Sequence, residues 1–268
     1  SRKGPAVDMN TIGQIEEVEL TKEELLSQIA STYDTLGLLT PITLKLKLLM
    51  QKVVLTNIGW KEVIPEELMK EVREALRMMV ELGDVEFDRT FLGKNWEAGY
   101  DIVAYFDGAN PASAGVMYAL TPIQNPSPGI SAEDGDEKLR VNEVRLVMSK
   151  ARVTPTGKKA GEKKKSTPRT ELRGLLILSR LITTFMKSMI HKPREIHIFG
   201  DSQTVIGTIG STDKVLDIWV GNRVDEICEA FGYWQEAGVK VNDIEHWPGV
   251  SNIADLCTRG DARKEDVM

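Results

Sequence analysis

Tyr100-Asp101-Ile102-Val103-Ala104-Tyr105-Phe106-Asp107-Gly108-Ala109-Asn110 is the stretch on which the fold turns. Ile102, Val103, Tyr105 and Phe106 are strand-forming residues, so residues 100–106 read as a strand. An aspartate followed by glycine then marks a turn. Working outward, residues 115–120 and 141–148 read as two more strands, and three in succession suggest an antiparallel meander. Residues 121–138 hold Pro122, Pro126, Pro128 and Gly129 and the acids Glu133, Asp134, Asp136 and Glu137, the composition of an exposed loop. After a Pro/Gly/Lys-rich connector at 150–169, apolar periodicity predicts a long helix over 170–189. A strand at 195–199, a short helix after Asp201-Ser202-Gln203, a helix at 215–231, a last strand at 239–246 and a terminal helix that begins over Asn252 to Leu256 complete the pattern. Three strands followed by alternating helices and strands define an α/β layer arrangement with a mixed sheet.

Upstream the pattern is helical. Residues 1–20 read as a flexible tail. Thr21-Lys22-Glu23-Glu24 is a capping box, and Leu25, Leu26, Ile29 and Tyr33 follow at helical spacing. Thr40-Pro41 opens a second helix and Pro65-Glu66-Glu67 a third, which runs to about Leu82. The expected organisation is a tail at 1–20, a small helical subdomain at 21–95, an α/β domain at 96–262 and a short tail at 263–268.

Composition narrows the function. The chain has 268 residues, of which 41% are hydrophobic, enough for one large domain or two small ones. Two cysteines, Cys228 and Cys257, exclude a disulfide framework and fit a reducing compartment. Three histidines and no close cysteine pair argue against a structural zinc module. No run of about 18 uncharged apolar residues exists to span a membrane, and Ser1-Arg2-Lys3-Gly4-Pro5 does not begin a signal peptide. The expected location is therefore intracellular, in a cytoplasmic particle or the nucleus. The missing initiator Met suggests an excised fragment or a processed product. A net charge of −6 excludes a globally basic nucleic-acid coat. Yet residues 150–173 hold nine Lys and Arg against two Glu. Such a run is either a solvated loop or a track for phosphates.

Four carboxylates stand at strand ends or helix starts: Asp107, Glu171, Asp201 and Asp255. Singly, each has a structural explanation as a turn residue, a helix cap or a partner of the helix dipole. Capping explains the ordered set of four less easily.

Taken together, these segments resemble the ribonuclease H domain of BEL/Pao-type LTR retrotransposon polyproteins. The resemblance rests on Tyr105-Phe106-Asp107-Gly108-Ala109, Lys150-Ala151-Arg152-Val153, Thr167-Pro168-Arg169-Thr170-Glu171-Leu172, Gly200-Asp201-Ser202-Gln203, Trp219-Val220-Gly221-Asn222-Arg223-Val224 and Asn252-Ile253-Ala254-Asp255-Leu256-Cys257-Thr258-Arg259-Gly260. Ile29-Ala30-Ser31-Thr32-Tyr33-Asp34-Thr35-Leu36-Gly37-Leu38-Leu39-Thr40-Pro41-Ile42 resembles the segment that follows the reverse transcriptase core in these polyproteins. Gly200 departs from the family pattern, which often has Thr before the aspartate.

The resemblance implies a mixed five-stranded sheet flanked by helices. It also implies hydrolysis of the RNA strand of RNA–DNA hybrids, with the reverse transcriptase portion of the same polyprotein as a partner. Asp107, Glu171, Asp201 and Asp255 would be the catalytic residues and hold two Mg²⁺, or Mn²⁺ as a substitute. Two such ions ~3.5–4 Å apart activate water and stabilise the leaving oxygen. In the family's division, Asp107 bridges the ions, Glu171 and Asp201 flank one, and Asp255 the other. Gly108, Ala109, Asn110, Lys150, Arg152, Arg169, Gln203, Trp219, Asn222 and Arg223 form the expected nucleic-acid-binding set. His246 is either an auxiliary that helps product leave or a structural strand-end histidine. No Tyr-x-Asp-Asp motif is present for polymerisation. The competing reading is a catalytically degenerate module that binds nucleic acid or scaffolds the reverse transcriptase.

Overall fold

A computed structural model describes residues 15, 17–81, 86–87, 90–94, 96–122, 142–155, 167–211 and 216–262. Most of the expected 1–20 tail, the 263–268 tail, the 123–138 part of the acidic loop, and Lys158, Lys159, Lys163, Lys164 and Lys165 lie outside the described residues.

The meander is β1 (Asp101–Gly108), β2 (Ala112–Pro122) and β3 (Asn142–Val153), each antiparallel to the next. Strand β4 (Glu195–Gly200) lies parallel to β1 on its other side. The sheet order is β3-β2-β1-β4-β5, with β6 also paired to β4. The single last strand expected at 239–246 is thus two short parallel strands, β5 (Lys240–Val241) and β6 (Glu245–His246). Asn242 and Asp243 separate them, and both residue types are poor strand formers. The Asn242 side chain instead donates to Glu195 Oε2 at 3.1 Å.

On one face of the sheet lies α4 (Thr167–Ser188) and, behind it, α6 (Ile218–Glu236). Ile102, Ala104 and Phe106 alternate inward from β1 and meet Leu172, Leu175, Leu178, Ile182 and Phe185 of α4. Because the sheet covers α4 on one side and α6 on the other, α4 is apolar around most of its circumference. It starts at Thr167 rather than residue 170, with Pro168 accommodated in its first turn. Helix α6 starts one residue after its N-cap, Asp217. A short α5 (Gln203–Ile209) is capped by Ser202.

The helical unit comprises α1 (Lys22–Ser31), α2 (Thr40–Leu55) and α3 (Glu66–Glu81) around its own core. The Thr21–Glu24 capping box is formed in both directions. Tyr33 departs from expectation: α1 ends at Ser31, and the ring is 90% exposed. The chain turns there because the Asp34 carboxylate accepts the N–H groups of Leu38 and Leu39 at 2.8 and 3.0 Å. Leu44 of α2 packs against Ala112, Ala114, Val116, Ala151 and Cys257 on the other sheet face. There α7 (Leu256–Arg259) follows two 3₁₀ turns, so the terminal helix expected to begin over 252–256 starts at the end of that stretch.

Glycines let α4 sit close to the sheet. A Cβ on Gly115 of β2 would lie 2.8 Å from the Leu178 Cα of α4. A Cβ on Gly108 would collide with the backbone of Thr170 and Glu171, and one on Gly174 with the Asp107 carbonyl. Gly232, within α6, has open space around its missing Cβ. The two kinds of glycine should therefore respond oppositely to alanine. Gly115→Ala should destabilise by about 1–3 kcal/mol through overpacking, and Gly232→Ala should stabilise by about 0.4–1 kcal/mol. Thermal melting checks this, at roughly 2–4 °C per kcal/mol for a chain of this size. Shifts of the same sign would refute the packing argument.

Candidate active site

The four candidate carboxylates come from four places in the chain. Asp107 is the penultimate residue of β1, and Glu171 lies in the second turn of α4. The close approach at Gly108 and Gly174 brings these two elements together. Two hydrogen bonds lock the join: Thr170 Oγ1 donates to the Gly108 carbonyl at 3.0 Å, and Ser113 Oγ to the Thr170 carbonyl at 2.8 Å. Asp201 follows β4, which β1 holds in parallel register from Ile102 to Tyr105. Asn252 brings in Asp255. Its Nδ2 donates to the Phe106 carbonyl at 3.0 Å, and its Oδ1 accepts the Ala254 N–H at 3.1 Å. That one side chain ties the turn carrying Asp255 to the end of β1.

The carboxylates share an electrostatic environment. Burial chiefly raises the Asp107 pKa above the usual carboxylate range, and the charges of Asp201 and Asp255 push the same way. The Thr258 hydroxyl, which donates to Asp107 Oδ2, and the Gly108 N–H oppose that rise. Glu171 is also raised, first by burial and then by Asp201 and Asp107, against a 2.6 Å hydrogen bond from Ser202. Asp201 Oδ1 is buried with no hydrogen-bond partner. Asp255 forms an ion pair with Arg259 at 2.6 Å.

Among the described residues, no three His, Cys, Asp or Glu side chains converge closely enough to hold a metal ion as they stand. Thr258, Ser202 and Arg259 each draw one carboxylate toward a protein donor. The donor set nevertheless fits a hard divalent cation: it is all oxygen, mutually repelling, and includes one buried oxygen without a partner. Seating an ion requires those side chains to turn from their present partners.

The expected nucleic-acid contacts fall into several groups. Gly108 is buried, Ala109 donates its N–H to Ala112 O at 2.9 Å, and Asn110 is exposed. Lys150 and Arg152 are exposed on the edge strand β3, with Arg152 opposite Ser113, which in turn faces Gly108. Arg169 is exposed and ion-paired to Asp217 at 3.0 Å. Gln203 and Asn222 are exposed. Trp219 is half-buried against the core, with Arg223 stacked 3.7 Å from its ring centroid and Arg169 at 5.3 Å. Its ring is thus already partnered by guanidinium groups. His246 is exposed and pairs in the sheet with Gly200, next to Asp201.

Three residues that shape the site were given no role of their own from the sequence, although each stands inside a quoted motif: Thr258, Asn252 and Ser202. A search for charge alone passes over them.

The family model of the Pao retrotransposon-like RNaseH-like domain matches residues 21–202, more than half of the 268 residues. The chain belongs to that family. Asp255 and His246 lie beyond the matched stretch. Among solved structures, RNase H1 from the halophilic archaeon Halobacterium salinarum NRC-1 is similar, at 17% identity and a TM-score of 0.34, covering 57% of this chain and 89% of that one. LC11-RNase H1, solved in complex with an RNA/DNA hybrid, gives 13% identity and a TM-score of 0.33, covering 56% and 88%. The dRH form of a foamy viral protease-reverse transcriptase, in complex with double-stranded DNA, gives 11% identity and a TM-score of 0.46, covering 90% of this chain and 35% of that one. No curated protein matches the sequence.

The raised Asp107 pKa carries a sign that can be measured. A folded-state value above the unfolded one means that the native state is favoured while Asp107 is protonated. That contribution is full below the unfolded pKa and is lost as pH rises through the folded one. In chelator, Asp107→Asn should therefore melt above the parent at pH 7.5. The gap should close toward pH 4, since Asn can still accept the Thr258 hydrogen bond. A variant that melts lower at pH 7.5 contradicts this electrostatic reading.

Proposed function

We propose that this chain is a metal-dependent endonuclease that hydrolyses the RNA strand of RNA–DNA hybrids during retroelement reverse transcription. The observation that carries this reading is the burial of Asp107 beside the charges of Asp201 and Asp255, with Glu171 in the same field. Isolated structural carboxylates have no reason to be gathered against their own repulsion. Asp107, Glu171, Asp201 and Asp255 would hold the ions, Mg²⁺ or Mn²⁺. When bound, a divalent pair supplies an activated water and charge stabilisation at the leaving oxygen.

The chain's own residues have separate tasks. Ser202 holds Glu171, and Thr258 holds Asp107, while no ion is bound, and each would release its carboxylate oxygen to an arriving ion. Lys150, Arg152, Arg169 and Arg223 would neutralise backbone phosphates and exposed Asn110 would approach the sugar edge, whereas the Gly108 carbonyl and the Ala109 N–H are already bound within the protein. Exposed His246 would either assist product departure or serve only as a strand-end residue beside Gly200. The partner implied by the family is the reverse transcriptase portion of a polyprotein, working inside the cell. No helix among the described residues is long and apolar enough to cross a membrane. The alternative, a degenerate binding module, draws support from the Asp255–Arg259 ion pair, which occupies an expected ligand.

The purified chain with Mg²⁺ or Mn²⁺ should cut an end-labelled hybrid in its RNA strand and leave duplex DNA intact. Asp201→Asn should lose more than the ~10–100-fold that removal of an outer-shell partner costs. Hybrid that is bound but never cut, by parent and variant alike, would establish the binding module instead.

A further inference from the structure

Asp255 sits in a stretch held by two separate parts of the protein. Ahead of it, Asn252 is bonded to the Phe106 carbonyl of β1. Behind it comes α7, a helix of only four residues. A helix that short has no stability of its own in water, so packing must fix its place. One support is β2, and the other is α2 of the helical unit. Leu44 of α2 is fully buried in one apolar cluster with Ala254 and Cys257, which flank Asp255 in the chain. Leu48, one turn further along α2, lies against the end of α7: a Cβ on Gly260 would fall 2.4 Å from its Cδ1. Gly260 takes the left-handed conformation that closes α7. Two residues later, Ala262 is buried in the helical unit's own core with Leu25, Ile42 and Leu46. Gln51 adds a polar clip, donating to the Thr154 carbonyl just after β3 at 2.8 Å.

The other three acids are placed differently. Asp107, Glu171 and Asp201 stand on or next to β1, α4 and β4, which pack on one another within the larger core. Asp255 instead depends on an element whose outer support comes from the first third of the chain. A ligand set must be held to within about 0.5 Å of its working geometry. Residues that orient a ligand without touching the ion therefore change its affinity.

We infer that α2 is a positioning element for the candidate site: Leu44 and Leu48 seat α7, fix Asp255 and thereby set divalent-cation affinity. This rests on the metal-site reading above and gives the helical unit a task separate from holding nucleic acid. Leu44 and Leu48 are positioning residues and touch neither ion nor substrate. The coupling is reciprocal, so a bound ion must also hold α7 more firmly against α2.

The test measures Mn²⁺ binding to the full chain by electron paramagnetic resonance, at a temperature where melting curves show every variant folded. Leu48→Ala should weaken binding by about 10-fold, the low end of what loss of a ligand-orienting partner costs. Leu44→Val, a smaller change, should shift affinity the same way and carries the test if Leu48→Ala does not fold. Val72→Ala, on α3 in the helical unit's own core, should lower the melting temperature and leave Mn²⁺ affinity unchanged. Hydrogen exchange reads the seat itself. Amides of residues 254–260 should exchange faster in Leu48→Ala, with those of α4 unchanged, and Mn²⁺ should slow them in the parent. Parent-like affinity in Leu48→Ala and Leu44→Val would overturn the inference. So would an equal loss in Val72→Ala, which would trace the effect to general destabilisation, or Mn²⁺ binding that leaves exchange at 254–260 unchanged. A parent that binds no Mn²⁺ rejects the metal site and this inference together. A parent that binds no better than Leu48→Ala rejects this inference alone.

Discussion

Everything near the candidate site depends on how closely α4 approaches the sheet. Gly108, Gly115 and Gly174 remove the side chains that would hold helix and strands apart. With them gone, the backbone after β1 touches the start of α4, and Asp107 and Glu171 lie in one partly desolvated space. The apolar face of α4 supplies the attraction, through Leu172, Leu175 and Leu178 against Ile102, Ala104 and Phe106. Packing thus brings together groups that electrostatics would separate. The raised pKa values of Asp107 and Glu171 express that conflict. A core that imposes unfavourable charge proximity is the physical signature of a site completed by something else.

The helical unit adds a second constraint. Leu44 inserts among Ala112, Ala114 and Ala151, and Ser149 donates its N–H to the Leu36 carbonyl at 2.9 Å. The sheet face opposite α4 is therefore partly covered by residues from the first third of the chain.

Much of this was legible in the sequence, for identifiable reasons. Strand and helix order followed from alternation in residues 100–106 and the 3.6-residue period of 170–189, because burial on one face enforces both. The four acids stood out because each ends a strand or begins a helix. What escaped notice depends on partners that arrive from afar. Thr258 reaches Asp107 across 151 residues, and Asn252 reaches Phe106 across 146. No local pattern marks a hydroxyl or an amide for such a role. Tyr33 and the broken last strand failed differently: the side-chain hydrogen bonds of Asp34 and Asn242 outweighed propensity over a few residues.

If the four carboxylates act as one site for divalent cations, titration with Mn²⁺ followed by electron paramagnetic resonance of the free ion should show saturable binding, without substrate or turnover, that Mg²⁺ competes away and that Asp107→Asn greatly weakens. Absence of saturable binding, or equal binding by the parent and Asp107→Asn, would contradict such a site.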